Sequence, residues 1–260
     1  MVSLKEFGEK YPFLKENIPF WEKYSTAKNA VKNILLESAD TKILNSKFFN
    51  DPDNRKPFLG HETYKMDKEL GRKLTEAFSK AMGVELKSYD FPEEVTLLKK
   101  LTLTEDVQGF VLAEVHASVC SFIISVLSPD EPAKWLEHYC PVCGGEPGMG
   151  IIVDDGKKQL VCNHCHSVWY HVRTKCGLCG HQPLKEGNTF FSDDNEPAWF
   201  IEICKECKGS LKIFDSRKGE MIVDIYPLFY LSTWGLDIAM TEKEYEPGLF
   251  AIYQRAGWLK

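Results

Sequence analysis

The chain has 260 residues, of which 43% are hydrophobic, 27% charged and 12% aromatic, with a formal net charge of -6. That mix can bury a core and is not the composition of a disordered chain, while the acidic balance opposes a phosphate backbone unless a local basic patch overrides it. No apolar run approaches the roughly 20 residues of a membrane span: the best, Gly109–Leu127, is broken by Glu114, His116 and serines, and Met1–Lys10 carries Glu6 and Glu9 and no apolar stretch of the secretory kind, so the cytoplasm is the expected location.

In chain order, the first half reads as helices. Ala27–Ser38 places Val31, Ile34 and Leu35 on one face, and Thr63–Met82 repeats the pattern with Leu70, Leu74, Phe78 and Met82, closed by Gly83 as a C-cap. Asn50–Pro57, rich in Asp, Asn and Pro, is a loop. Pro92 opens a helix over Val95, Leu98 and Leu101. Thr104 caps a long apolar helix, Glu105–Leu127, which Ser128 and Pro129 end, and Glu131–His138 is a last short helix. From Gly150 the reading changes to short strands. Gly150–Val153 and Gln159–Val161 flank the turn Asp154–Lys157, and Asn188–Phe191 and Ala198–Ile203 flank a longer loop, Ser192–Pro197. Ser167–Arg173 and Ser210–Phe214 are outgoing strands, and the tail turns helical from Pro227, with Leu228, Leu231 and Leu236 free to pack on the bundle.

Eight of the nine cysteines form four Cys-x-x-Cys clamps. In a reducing compartment such clamps are metal ligands, not disulfides. Each turn points both sulfurs at one ion, and a residue of positive φ favours the position just after, held here by Gly144, His166, Gly180 and Lys208. Sequential pairing gives two sites, Cys140, Cys143, Cys162 and Cys165, then Cys176, Cys179, Cys204 and Cys207, each closing over one hairpin. The stretch between Cys165 and Cys176 is extended, about 20 Å long, and disfavours joining the middle clamps, although a cross-braced pairing stays open. Four sulfurs suit zinc or iron and leave no open position, so two structural metal ions, zinc or iron, are expected.

Trp169, His171 and Arg173 share a face by period two and, with Lys175, make a cationic, aromatic surface for an anionic group such as a phosphate or carboxylate; the plainer alternative is a strand covering its own ribbon. His164, His166 and His181 read as surface or supporting residues, Cys120 as a buried small hydrophobe, and His116 as a core histidine. Residues 139–215 hold eight Lys/Arg against ten Asp/Glu, and two zinc ions on eight thiolates would deepen the deficit, which disfavours nucleic acid. No paired carboxylates, nucleophile–base set or phosphate-cradling glycine loop stands out, so no enzyme is expected.

The residues Cys140-Pro141-Val142-Cys143-Gly144-Gly145, Leu160-Val161-Cys162-Asn163-His164-Cys165, Trp169 and Val172-Arg173-Thr174-Lys175-Cys176, with Cys204-Lys205-Glu206-Cys207, Leu211-Lys212-Ile213 and Val223-Asp224, resemble the formate dehydrogenase accessory protein family, FdhE. The match runs over about 139–240, and no motif of the helical part contributes. After Asp224 this chain departs from the family pattern with Ile225-Tyr226-Pro227-Leu228-Phe229. The resemblance implies an α+β architecture: a helical bundle (1–138), two tandem rubredoxin-like or zinc-ribbon modules (139–175 and 176–220) and a C-terminal helical tail (221–260) packing back on the bundle. It implies the eight cysteines as ligands. It also implies a cytoplasmic chaperone for the catalytic subunit of formate dehydrogenase, which carries molybdenum or tungsten on pterin guanine dinucleotides, with Trp169, Arg173 and Lys175 of the linking strand, joined by His171 from the shared period-two face, as partner or cofactor contacts. A rubredoxin-like electron-transfer protein and a nucleic-acid-binding zinc ribbon are the alternatives.

Overall fold

The computed structural model describes residues 3–38, 56–61, 64–86, 94–95, 106–126, 135–181, 192–193, 196–220 and 226–248. The chain divides into a helical unit, essentially Ser3–Glu131, and a ribbon unit running from Pro132 onward.

The helical unit opens with α1 (Leu4–Lys10), where Ser3 and Glu6 form a reciprocal capping box, and a 3-10 turn, Pro12–Asn17. The next helix, α2 (Ile18–Ser38), is longer than its strongest periodic stretch suggests, because Trp21 and Tyr24 extend the buried stripe of Ala27, Val31 and Leu35 toward the N-terminus. A four-residue helix, α3 (Phe58–His61), leads to strand β1 (Tyr64–Lys65) and then α4 (Lys68–Met82). The α4 helix starts later than Thr63 because Asp67 caps it, accepting the Glu69 N–H, and it ends at Gly83 with φ 72° as expected. Val95 lies in a short strand, β2 (Glu94–Val95), paired with β1, and not in the helix expected after Pro92. Leu98, Leu101 and Thr104, and most of the Asn50–Pro57 loop, fall outside the described residues.

Helix α5 (Val107–Val126) begins at Asp106, whose side chain accepts the Gly109 N–H at 2.9 Å. It is long and apolar enough to cross a membrane, contrary to the expectation from its interruptions, yet more than half of it is buried within the protein. Its one carboxylate has a structural explanation. Glu114 accepts the Tyr24 hydroxyl at 2.8 Å and pairs with Lys28 at 3.3 Å, tying α5 to α2. Edge-on contacts of Tyr24 with Phe78 and of Phe78 with Phe110 complete the α2–α4–α5 core.

In the ribbon unit residues 135–140 are irregular, not helical. Trp135 is buried and donates from Nε1 to the Tyr139 carbonyl at 2.7 Å. The first hairpin is β3 (Pro147–Ile152) and β4 (Lys158–Cys162), followed by β5 (Val168–His171). The second holds β6 (Ser192–Asp193), β7 (Glu196–Ile203) and β8 (Gly209–Asp215), so Ser192–Pro197 contains strand ends as well as a turn, while Asn188–Phe191 lies outside the described residues. The two modules are not separate ribbons. β3 and β8 pair in parallel, from Met149 opposite Lys212 to Ile152 opposite Asp215, and fuse them into one sheet of order β5-β4-β3-β8-β7-β6.

The tail forms α6 (Tyr226–Leu231), α7 (Trp234–Thr241) and β9 (Glu246–Pro247), which pairs with β8. It was expected on the bundle, but it covers the ribbon sheet. Phe229 lies tilted against Trp199 and edge-on to Phe214, and Leu236, Met240 and Tyr245 pack on Ile201 and Ile203. On this face Lys212 is buried, with its Nζ 2.7 Å from Asp237, 2.8 Å from the Tyr230 carbonyl and over the Tyr230 ring. Burial pushes Asp237 up and Lys212 down to about 8, with the partner opposing each shift.

Candidate metal centres

Each Cys-x-x-Cys clamp adopts the same knuckle. The N–H of the first cysteine donates to the carbonyl five residues on, in the pairs Cys140–Gly145, Cys162–Ser167, Cys176–His181 and Cys204–Gly209. The residue after the second cysteine takes positive φ in every case: Gly144 at 72°, His166 at 57°, Gly180 at 70° and Lys208 at 57°. The left-handed turn is therefore kept even where the residue has a Cβ, at a cost of about 1–2 kcal/mol. The two clamps that hold this geometry against a Cβ, at His166 and Lys208, need something that over-determines it.

The structure brings the sulfurs together in the sequential order. The Sγ atoms of Cys140, Cys143, Cys162 and Cys165, and those of Cys176, Cys179, Cys204 and Cys207, each lie within 4.8 Å of one another. Cys140 and Cys165 are 3.6 Å apart, Cys179 and Cys204 3.8 Å, and Cys176 and Cys207 4.0 Å. A tetrahedron with metal–sulfur bonds of about 2.3 Å has edges of about 3.8 Å, whereas a disulfide needs about 2.05 Å. Both sets could hold one metal ion each. Around the first, the Cys165 N–H points at Cys162 Sγ and the Ser167 hydroxyl lies 3.0 Å from Cys165 Sγ; around the second, the Leu178 N–H points at Cys176 Sγ. Such contacts orient sulfur ligands. The first set is wholly buried, while Cys179 and Cys207 of the second are partly exposed. Two thiols of the second set resist ionisation: the Cys207 contact and burial push Cys176 up, and burial pushes Cys179 up to about 11. A divalent cation offsets that cost.

The residues expected to meet a partner separate into two kinds. Trp169 is buried, donating from Nε1 to the Glu137 carbonyl at 2.9 Å, and His171 is buried with Nε2 3.3 Å from the Cys176 carbonyl. Burial, then Lys158, lowers His171 to about 4, so it is neutral at ordinary pH. Both are packing residues, and the period-two face they share is the covered one. Arg173 is exposed and Lys175 half-exposed, in the turn beyond β5. Cys120 is buried with Sγ 3.7 Å from His116 Nδ1, within the helical unit, and belongs to neither four-sulfur set.

A feature not expected from the sequence lies beneath the segment joining the clamps. Lys158 on β4 is fully buried, with Nζ 2.8 Å from Glu202 on β7 and 3.0 Å from the Lys175 carbonyl. Together with His171 it pins the crossing chain at Lys175 and Cys176, while Gly177 gives the close approach, since a Cβ there would meet Leu211 at 2.8 Å and Leu160 at 3.1 Å.

A helical unit joined to a fused pair of four-cysteine ribbons defines a class of tandem zinc-ribbon or rubredoxin-like proteins. Within that class the chain is similar to FdhE proteins. Residues 139–173 match the model of the FdhE central domain. An FdhE homologue of Aquifex aeolicus is 36% identical over 118 residues, covering 39% of this chain and 41% of that protein. One from Shewanella oneidensis is 34% identical over 90 residues, covering 33% and 29%. These matches thus span under half the length of the curated relatives. The crystal structure of the FdhE protein from Pseudomonas aeruginosa shares the fold over 95% of this chain and 92% of that one, with a TM-score of 0.57 at 18% identity.

Proposed function

We propose that this chain is a formate dehydrogenase accessory protein that holds the catalytic subunit during maturation, in the cytoplasm, without turning over a substrate itself. The observation that carries this reading is the set of four like knuckles, the first two within the matched FdhE central domain. The eight cysteines Cys140, Cys143, Cys162, Cys165, Cys176, Cys179, Cys204 and Cys207 are the proposed ligands of two ions, zinc or iron. When bound, each ion supplies the charge that keeps four thiolates together and fixes the knuckle. A closed four-sulfur cage leaves no ligand position for a substrate, which favours a structural role.

The client is the catalytic subunit of formate dehydrogenase, and its contact with the pterin guanine dinucleotide cofactor is part of the same proposal. Arg173 and Lys175 are the accessible members of the proposed contact surface; the domain division of this reading is the bundle 1–138, the modules 139–175 and 176–220, whose strands share one sheet, and the tail 221–260. Pull-down of immature and mature catalytic subunit on the immobilised chain tests this. Capture of the immature form, weakened by Arg173→Glu, is expected. No capture of either form would overturn the chaperone reading, and unchanged capture by Arg173→Glu would overturn the placement.

A further inference from the structure

The register of the fused sheet gathers three turns at one end. Parallel pairing sets Ile152 beside Asp215, so the β3–β4 turn and the turn after β8 are neighbours; antiparallel pairing sets Lys158 beside His171, so the turn after β5 joins them. Two arginines meet there. Arg173 Nη1 lies 3.7 Å, and Arg217 Nη1 3.8 Å, from the point a Cβ on Gly156 would occupy. Gly156, at φ 78°, is the one residue of that turn without a side chain to fill the space.

Two guanidinium groups over one point repel each other, and their hydrogen bonds leave donors over. Arg217 spends Nε and Nη2 on Asp215, both at 2.7 Å, a bidentate grip that fixes its plane and leaves Nη1 without a partner among the described residues. Arg173 spends Nη1 on the Gly156 carbonyl at 3.2 Å. Lys157 and Lys218 flank the pair. Asp155 is taken up by Lys157 and Asp215 by Arg217, while Asp154 also faces Arg217. Preorganised guanidinium forks with spare N–H groups are the usual receptors for phosphate oxygens.

We propose that Arg173 and Arg217, converging over Gly156 at the seam of the two modules, form a binding site for a phosphate or diphosphate group. The site shares Arg173 with the proposed client surface and rests on that reading only there: Arg217 has no part in it, so pyrophosphate binding and client capture can each fail alone. The test is titration of the purified, metal-loaded chain with pyrophosphate and with inorganic phosphate at low ionic strength, followed by calorimetry. Pyrophosphate should bind, more tightly than phosphate and with strong salt dependence. Arg173→Gln and Arg217→Gln should each weaken it about tenfold, as loss of a charged hydrogen-bond donor does, and the double variant should abolish it. Arg173→Gln leaves the Asp215 pair intact, so it carries the test if the double variant does not fold. No binding to the unaltered chain, or equal binding by Arg173→Gln, overturns the site.

Discussion

Replacing Lys158 by methionine keeps most of the side-chain volume and deletes its charge. Two buried acceptors then lose their donor, the Glu202 carboxylate at 2.8 Å and the Lys175 carbonyl at 3.0 Å. Breaking a buried pair from one side costs about 3–5 kcal/mol, and stranding a carbonyl about 1–3 kcal/mol. The two costs overlap, because Glu202 can escape by taking up a proton. Burial already raises the Glu202 carboxyl, with Lys158 opposing, so its loss lets the rise go further. A carboxyl raised in the folded state contributes stability below its unfolded value, and that contribution disappears as pH climbs through the folded value. The penalty of Lys158→Met should therefore be smallest near about pH 4–5 and reach about 4 kcal/mol at neutral pH. Urea unfolding followed by the fluorescence of buried Trp169 and Trp199, compared with the unaltered chain at each pH, measures it. Adding Glu202→Leu should restore most of the loss. A neutral-pH penalty below about 1 kcal/mol, or one that grows as pH falls, would refute the assignment of this pair as the clasp between the modules.

Four further outcomes are expected. Cys162→Ser should lower bound metal by at least one ion per chain and, because β3 and β8 share a ladder, also loosen the environment of Trp199 in the other module; Cys120→Ala should leave the metal content unchanged, and metal analysis beside tryptophan emission checks both. Gly180→Ala should destabilise the third knuckle by about 1 kcal/mol or more, since φ is 70° and a Cβ would lie 3.0 Å from the His138 ring, whereas Lys208→Gly, at φ 57°, should stabilise its knuckle by up to about 1 kcal/mol; thermal unfolding separates the two signs.

What the sequence reveals depends on the range of the interaction behind each feature. The knuckles are local: a two-residue spacing and the residue after it specify each turn, and a hairpin brings its ends together, so the sequential grouping of the sulfurs could be read directly. The same holds for the stripe of Leu74, Phe78 and Met82 and for the Gly83 cap. The parallel β3–β8 pairing joins segments far apart in sequence and leaves no periodic trace. Lys158 and Lys212 sit in apolar strands as isolated charges, and their partners Glu202 and Asp237 are 44 and 25 residues away. Period two correctly grouped Trp169 with His171, but alternation cannot tell a face covered by the crossing chain from one left open. The packing of the tail's described residues on the ribbon sheet is hidden for a like reason: Leu228 and Leu236 announce an apolar face but not which apolar surface meets it.

The fused sheet also bears on what two metal sites accomplish together. A ribbon of this size buries little on its own, and a bound ion can substitute for the missing core. Here the chain leaving the first site crosses the sheet before it reaches the second, and it is pinned on the way at Lys175 by Lys158 and at Cys176 by His171. Lys158 comes from the first module and Glu202 from the second, so the clasp closes only when both hairpins are formed. Filling one site thus steadies the first cysteine of the other through hydrogen bonds already in place, and the seam carrying Arg173, Gly156 and Arg217 is built only when both modules are folded. A half-assembled ribbon would have neither the clasp nor the seam.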